Sequence, residues 1–93
     1  MTWKFEQPRN LAVITVQRIV DGETSVVYVC HDEEDGGWQF LDGQSVAEGD
    51  ARVVGLGRMV DSDHTLIDLA NLPEGFIATR ESKGARWVRM RKQ

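Results

Sequence analysis

Apolar residues recur along this chain in short segments separated by turn-forming residues, a pattern that predicts strands rather than long helices. Most of the segments are rich in β-branched or aromatic residues, which favour extended structure. The predicted strands cover residues 11–16, 25–31, 38–41, 51–60, 76–80 and 86–91. The first two carry apolar side chains on both faces, which is typical of strands covered on both sides. We interpret residues 51–60 as a long central strand.

Helical signals are fewer. Residues 17–20 fit either an extension of the first strand or one helical turn before Asp21-Gly22. Ser45 and Glu48 have the spacing of a capping box, but Gly49 allows at most one turn there. Residues 65–72 place apolar side chains at positions 66, 67, 69 and 70, which is the spacing of one helical face. This segment predicts one short helix that ends before Pro73.

Together these elements predict an α+β fold. We expect a mostly antiparallel twisted sheet of five to six strands, with one short helix over about residues 63–72 packed on one face. A chain of 93 residues fits a single domain, residues 1–93. Within it, residues 1–10 form an N-terminal arm whose Trp3 and Phe5 pack against the α+β core, residues 11–91. Trp38 and Phe40 share one face of their strand and are predicted core residues, although exposed contact is an alternative for Trp38.

Two glycines interrupt the predicted central strand. Gly55 and Gly57 share one face of an extended segment, so a ring such as Trp38, or the following helix, could approach the backbone closely there. They also supply two glycines of a dinucleotide-binding fingerprint, but Val60 stands where the third glycine belongs. Close packing therefore explains both glycines better than a nucleotide site.

The charges are distributed unevenly along the chain. The net charge is −4, but residues 1–72 carry −8 and residues 73–93 carry +4. An acidic body disfavours nucleic acid, because affinity for phosphate backbones comes mainly from lysine and arginine. The basic C-terminal residues are Arg86, Arg89, Arg91 and Lys92. They either contact nucleic acid or offset the acidic body and protect an edge strand, and we favour the second interpretation.

Cysteine content and hydropathy suggest a compartment. The lone Cys30 cannot form a disulfide within the chain, and small secreted domains usually need several disulfides. The charged N-terminal residues do not resemble an export signal, and no apolar stretch approaches the roughly 20 residues of a membrane span. We therefore predict a cytoplasmic protein without a membrane partner.

An acidic run is the candidate partner-binding site. It consists of Asp32, Glu33, Glu34 and Asp35, followed by two glycines. A calcium loop needs carboxylates at alternate positions and a distal glutamate, so the consecutive acids argue against metal. The run is then either a solvated hairpin tip or an acidic patch that binds a protein, and a cationic partner fits it.

Catalytic patterns are missing from the sequence. No Ser/His/Asp series, phosphate-binding loop, CxxC or HExxH occurs. Cys30 and His31 are neighbours in a predicted strand, which sends their side chains to opposite faces. We interpret Cys30 as a buried, small apolar residue. The sequence therefore predicts no catalytic residue, no cofactor and no metal site, with an enzyme of unrecognised type as the alternative.

Three segments share their order and spacing with a known family. They are Ile19-Val20-Asp21-Gly22, residues 35–43, and residues 54–60 continuing through Asp63, Leu66, Leu69 and the Leu-Pro-Glu-Gly segment at 72–75. Through these segments, residues 11–80 resemble a bacterial family of small domains classed in surveys of polymorphic toxins as immunity protein thirty-three. The Gly-Trp-x-Phe-x-x-Gly segment at 37–43 is the most specific. The resemblance implies an antitoxin-like protein that binds a cognate toxin.

Overall fold

The computed structural model describes residues 2–93, which form a six-stranded sheet with short helices. The strands are β1 (Ala12–Val16), β2 (Tyr28–His31), β3 (Trp38–Leu41), β4 (Ala51–Gly55), β5 (Phe76–Thr79) and β6 (Val88–Arg91). Their order across the sheet is β4-β1-β3-β2-β5-β6. Strands β1 and β3 run parallel, and every other neighbouring pair is antiparallel. The predicted α+β class and mostly antiparallel sheet are confirmed. Met1, the first residue of the predicted arm, lies outside the described residues.

The helices differ from the predicted ones. They are α1 (Gln17–Val20), α2 (Leu56–Ser62) and a 3-10 helix (His64–Leu69). Helix α1 decides between the two alternatives for residues 17–20 in favour of a helical turn. The predicted helix over residues 63–72 is a shorter 3-10 helix, which begins where the Asp63 carboxylate accepts from the Thr65 N–H at 3.0 Å. The capping box at Ser45 starts no helix, and residues 48–50 form a turn.

The long central strand predicted over residues 51–60 is wrong in two respects. It ends at Gly55 and continues as helix α2, and β4 lies at an edge of the sheet rather than at its centre. Leu56, Met59 and Val60 have the spacing of one helical face, and all three are buried. Helical geometry buries these three side chains together, whereas a strand would place Met59 on the face opposite Leu56 and Val60.

Backbone carbonyls of the N-terminal arm and of the residue that follows it cap helix α2. No side chain caps its first turn. Instead, the Leu56 N–H donates to the Leu11 carbonyl and the Gly57 N–H donates to the Arg9 carbonyl, both at 2.8 Å. A Cβ on Gly57 would lie 2.8 Å from the Arg9 guanidinium, and one on Gly55 would lie 3.3 Å from the Arg9 carbonyl oxygen. The arm, not the Trp38 ring, therefore approaches these glycines.

The hydrophobic core lies on one face of the sheet. Trp38 and Phe40 are fully buried there, which confirms them as core residues. The Phe5 ring of the arm meets Trp38 edge-on, with 5.4 Å between ring centroids, and Trp3 packs beside it. Helix α2 and the 3-10 helix complete this cover through Leu56, Met59, Val60, Leu66 and Leu69. All three covering elements therefore pack on the same side of the sheet.

Candidate functional site

The acidic tip, residues Asp32–Asp35, forms a tight turn between β2 and β3. The Asp32 N–H donates to the Gly37 carbonyl at 2.7 Å, and the Gly36 N–H donates to the Asp32 carbonyl at 3.0 Å. The carboxylates of Asp32 and Asp35 accept from backbone N–H groups two residues further on. These two aspartates therefore hold the turn, while Glu33, Glu34 and Asp35 are exposed to solvent.

Pairing of β2 with β5 brings a further carboxylate to the acidic tip. The Gly75 N–H donates to the His31 carbonyl at 2.7 Å, which places the turn at residues 73–75 beside the tip. A Cβ on Gly36 would lie 2.9 Å from Glu74 Oε2, so this carboxylate stands directly against the turn. Glu74 was not predicted as part of this site, because it is distant from the acidic tip in the chain. Knowing that β2 pairs with β5 would have placed it there.

The basic residues of β6 already have partners within the molecule. Arg89 donates to the Asp68 carbonyl at 2.6 Å and to Asn71 Oδ1 at 2.8 Å. The Arg91 guanidinium lies 3.8 Å from Glu33 and 5.7 Å from the centroid of the Phe76 ring. On this edge strand Arg91 therefore lies beside an acidic residue, and Arg89 is engaged by backbone and amide oxygens.

The opposite face of the sheet is uncovered and carries apolar side chains. Strand register places Val53, Ile14, Gln39, Cys30, Ile77 and Met90 in one row across this face. Ile14 is 43% exposed, Val53 70% and Met90 46%, and Val88 on the same face is 54% exposed. The prediction that β1 is covered on both sides is wrong for Ala12 and Ile14, which are exposed on this face, although Val16 at the end of the strand is buried. We call this surface the open face.

Lys92 links the open face to the acidic tip. Its Nζ lies 3.8 Å from Cys30 Sγ, and its backbone N–H donates to the Gly75 carbonyl at 2.8 Å. Lys92 also lines a surface depression together with Asp32, Glu33 and Glu34. Cys30 is 1% exposed, which confirms it as a buried residue. The acidic tip and the open face therefore form one continuous surface.

Cys30 and His31 point to opposite faces of the sheet, as predicted for neighbours in a strand. His31 lies on the covered face, where its ring stacks on Trp38 with 4.0 Å between centroids. Its Nδ1 lies 2.7 Å from the Leu72 carbonyl oxygen. The two side chains are therefore separated by the sheet and do not form a nucleophile and base pair.

A buried ion pair ties the 3-10 helix to the end of β5. Arg80 donates to the Asp63 carboxylate at 2.8 Å, to Thr65 Oγ1 at 2.8 Å and to the Val26 carbonyl at 3.0 Å. Its guanidinium stacks on the Trp87 ring, 4.1 Å from the centroid. Burial acts to raise the pKa of Asp63, but hydrogen bonds from Thr65 and Arg80 outweigh burial and lower it. These contacts assign the pair to the framework of the fold.

A second ion pair fixes the loop after β3. Asp42 accepts from Arg18 Nε at 2.8 Å, from Thr24 Oγ1 at 2.8 Å and from the Gln44 N–H at 3.1 Å. The hydrogen bond from Arg18 is the main cause that lowers the pKa of Asp42 far below its ordinary value. The pair was not predictable from the sequence, because Arg18 and Asp42 are distant from each other in the chain.

Two further observations concern sites and membrane spans. Residues 2–93 contain no group of three or more His, Cys, Asp or Glu side chains that could hold a metal ion. Over the same residues, no helix combines the length and apolar character needed to cross a membrane.

The fold and the surface define a class of protein: a small α+β domain with a half-covered sheet and an acidic end. Comparison of the chain with protein-family models, curated proteins and solved structures finds no match. The resemblance drawn from the sequence segments therefore stays a prediction.

Proposed function

We propose that this chain is a non-catalytic protein-binding domain that acts in the bacterial cytoplasm as an immunity protein, binding a cognate toxin. Its partner would present a basic, partly apolar surface. One observation carries the proposal: the uncovered apolar face of the sheet adjoins the acidic tip through Lys92. Exposed apolar patches bordered by polar residues are typical of protein interfaces.

The two parts of this surface would contribute differently to binding. Apolar burial yields about 25 cal/mol for each Å² removed from water, so Ile14, Val53, Val88 and Met90 would supply affinity. They stand on paired strands, and a rigid surface loses little conformational entropy on binding. The carboxylates of the acidic tip would raise the rate of encounter with a basic partner.

The chemical groups of the molecule support a non-catalytic role. Cys30 is buried beneath Lys92, and His31 lies on the other side of the sheet. The two most shielded carboxylates, on Asp42 and Asp63, are engaged by arginines and backbone groups. These groups have structural partners rather than a shared substrate site.

Binding to the toxin-like product of a neighbouring gene tests the proposal. We expect Ile14→Thr and Val53→Thr to raise the Kd at least about tenfold together, mainly through faster dissociation. Neutralising the tip with Glu33→Gln, Glu34→Gln and Asp35→Asn should slow association and flatten its salt dependence. Surface plasmon resonance at two salt concentrations measures both effects.

Two matched controls use residues away from this surface. Val46→Thr changes an exposed apolar residue in a loop, and Glu81→Gln changes an exposed acid beside the final turn. Both should leave the Kd unchanged. Equal binding by wild type and all open-face and tip variants would overturn the proposed interface. Salt-dependent DNA binding that disappears when residues 89–93 are removed, without toxin binding, would instead support the nucleic-acid alternative.

A further inference from the structure

The two outer strands of the sheet, β4 and β6, differ in how their free edges are protected. Strand β6 carries Arg89 and Arg91, and Lys92 follows it. Charged side chains on an edge strand hinder pairing with another chain. Strand β4 carries one charged residue, Arg52, and its Val53 is 70% exposed, the largest exposure among the large apolar side chains of residues 2–93. The edge of β4 is therefore the less protected of the two.

Strand register shows which backbone groups of β4 point outward. The Gln17 N–H donates to the Asp50 carbonyl at 2.9 Å, and the Leu56 N–H donates to the Leu11 carbonyl at 2.8 Å. Both bonds follow the register of β1 with β4. In an antiparallel pair, opposite residues alternate between those that exchange hydrogen bonds and those that do not. Even-numbered residues of β4 therefore direct their N–H and C=O groups to β1, and odd-numbered residues direct theirs to the free edge.

The open part of this edge centres on Val53. Its N–H and C=O face away from β1, and no other group among residues 2–93 bonds to them. On one side, the Ala51 carbonyl accepts from Arg52 Nη1 at 2.8 Å. On the other side, the Arg9 carbonyl oxygen lies close to Gly55, 3.3 Å from where a Cβ would stand. Val53 therefore presents one donor and one acceptor between two occupied positions.

An extended peptide segment has the chemistry that this edge requires. A strand added to a sheet edge is held by main-chain hydrogen bonds, and its alternate side chains give specificity. Val53 lies on the open face, paired with Ile14. Side chains of an added strand that point to the same face would lie beside Val53 and extend this apolar row. The edge and the open face are thus continuous through Val53.

We propose that β4 binds an extended segment of the protein partner, which adds a seventh strand beside Val53. The source of this strand rests on the proposed protein-binding function, to which it adds a mode of binding. Main-chain bonds at Val53 would fix the direction and register of the segment. Its apolar side chains would cover Val53 on the open face.

A second copy of the chain is a poorer occupant of this edge. Strand β4 has five residues, which is roughly 16 Å of strand. Pairing two such edges buries less than the roughly 800 Å² on each partner that is typical of stable interfaces. Residues 1–72 carry −8, so two copies would also bring like charges together. A basic partner that pairs with the edge and also covers the open face meets both requirements.

Amide hydrogen exchange of the ¹⁵N-labelled protein, followed by NMR, tests the free edge first. The Val53 N–H should exchange rapidly, because it faces water. The Val54 N–H pairs with Val13 of β1 and should exchange more slowly, which makes it the internal control. Slow exchange at Val53 in dilute solution without a partner would overturn the proposed site, because the edge would already be covered.

Adding the unlabelled, toxin-like product of the neighbouring gene then tests docking. We expect exchange at the Val53 N–H to slow at least about tenfold, with a smaller change at Val54. Binding without added protection at Val53 would overturn the docked strand and leave the protein-binding function standing. Absence of binding would instead remove the protein-binding function, and the partner strand with it.

A proline variant separates the backbone of Val53 from its side chain. Val53→Pro removes the outward N–H but no bond to β1, and proline is tolerated in edge strands where the N–H faces solvent. Val53→Thr is the matched control, because it changes the side chain and keeps the N–H. The Kd of Val53→Pro should exceed that of Val53→Thr at least about fivefold, as expected for one lost hydrogen bond.

Surface plasmon resonance measures both Kd values, and urea unfolding checks that both variants are folded. Equal Kd values for the two folded variants would contradict strand pairing at Val53. If Val53→Pro does not fold, hydrogen exchange of the wild-type complex decides the question, since it needs no substitution.

Discussion

Similar apolar side chains differ in solvent exposure between the two faces of the same sheet. On the covered face Val13 is 1% exposed, whereas Ile14, the next residue of β1, is 43% exposed on the open face. Val53, which pairs with Ile14, is 70% exposed. The covered face is filled by the arm and the helices, whereas Ile14 and Val53 on the open face remain exposed. Apolar residues therefore occur both where folding requires them and where it does not.

This difference separates the residues that stabilise the fold from those that remain exposed. Apolar burial is the main favourable term in folding, and the buried cluster lies on the covered face. Ile14, Val53, Val88 and Met90 on the open face gain less from folding, because 43–70% of each residue stays exposed to water. We infer that the covered face sets the stability of the protein and that the open face is available for a partner.

The largest expected effect comes from the centre of the covered face. Trp38→Ala should lower the free energy of unfolding by about 3–5 kcal/mol, because the ring is 1% exposed and its removal leaves a cavity. Unfolding in urea, followed by circular dichroism, measures the loss. A loss below about 1 kcal/mol would mean that the covered face is not the core.

The buried ion pair should give the next largest effect. Arg80→Met leaves Asp63 buried without its cation and should cost about 3 kcal/mol. Adding Asp63→Asn should recover part of this loss, because an asparagine oxygen can still accept from Thr65 without carrying an unpaired charge. Urea unfolding of the two variants provides the comparison. Failure of the second substitution to recover stability would show that the loss is one of packing against Trp87.

Local patterns account for much of the fold. The β2-β3 and β5-β6 hairpins were predictable because strand alternation and glycine-containing turns are short-range signals. Residues 56–60 were not, because their apolar spacing fits a helix while the β-branched residues before them favour a strand. The deciding contacts come from Arg9 in the arm and from Leu11 just after it, whose carbonyls cap helix α2. A single-sequence pattern contains no such long-range information.

Part of the candidate site was likewise predictable from the sequence, and part required the structure. The acidic tip was visible because its four acids are consecutive in the sequence. Glu74 and the open face were not, since both depend on which strands pair and which face the helices cover. Gln7 Oε1 and His31 Nε2, two buried atoms without a hydrogen-bond partner among residues 2–93, also require the packed structure to be seen. Sequence therefore indicates individual charged segments, and topology assembles them into surfaces.

The Arg18–Asp42 pair should make the free energy of unfolding depend on pH in the acidic range. Because the pKa of Asp42 is lowered in the folded state, the unfolded chain takes up protons first as the pH falls. Its contribution is complete above about pH 5 and is lost as the pH falls below about 4. Asp42→Asn should cost about 2 kcal/mol at pH 7 and flatten this acid dependence. Urea midpoints between neutral and acidic pH measure both, and an unchanged acid slope in the variant would exclude this pair as the cause.

The smallest effect gives the sharpest comparison of the two faces, because it uses one substitution on neighbouring strands. Val13→Thr buries a hydroxyl on the covered face and should cost about 1–3 kcal/mol. Val53→Thr, on the open face of β4, should change stability by less than about 0.5 kcal/mol. Valine and threonine have similar strand preferences, so the difference in urea midpoint reports burial rather than local propensity.

Equal losses for the two variants would mean that the open face is covered in solution, by a second copy of the chain or by its own termini. A dilution series of the Val53→Thr midpoint would separate these two, because only cover by a second copy weakens as the protein is diluted.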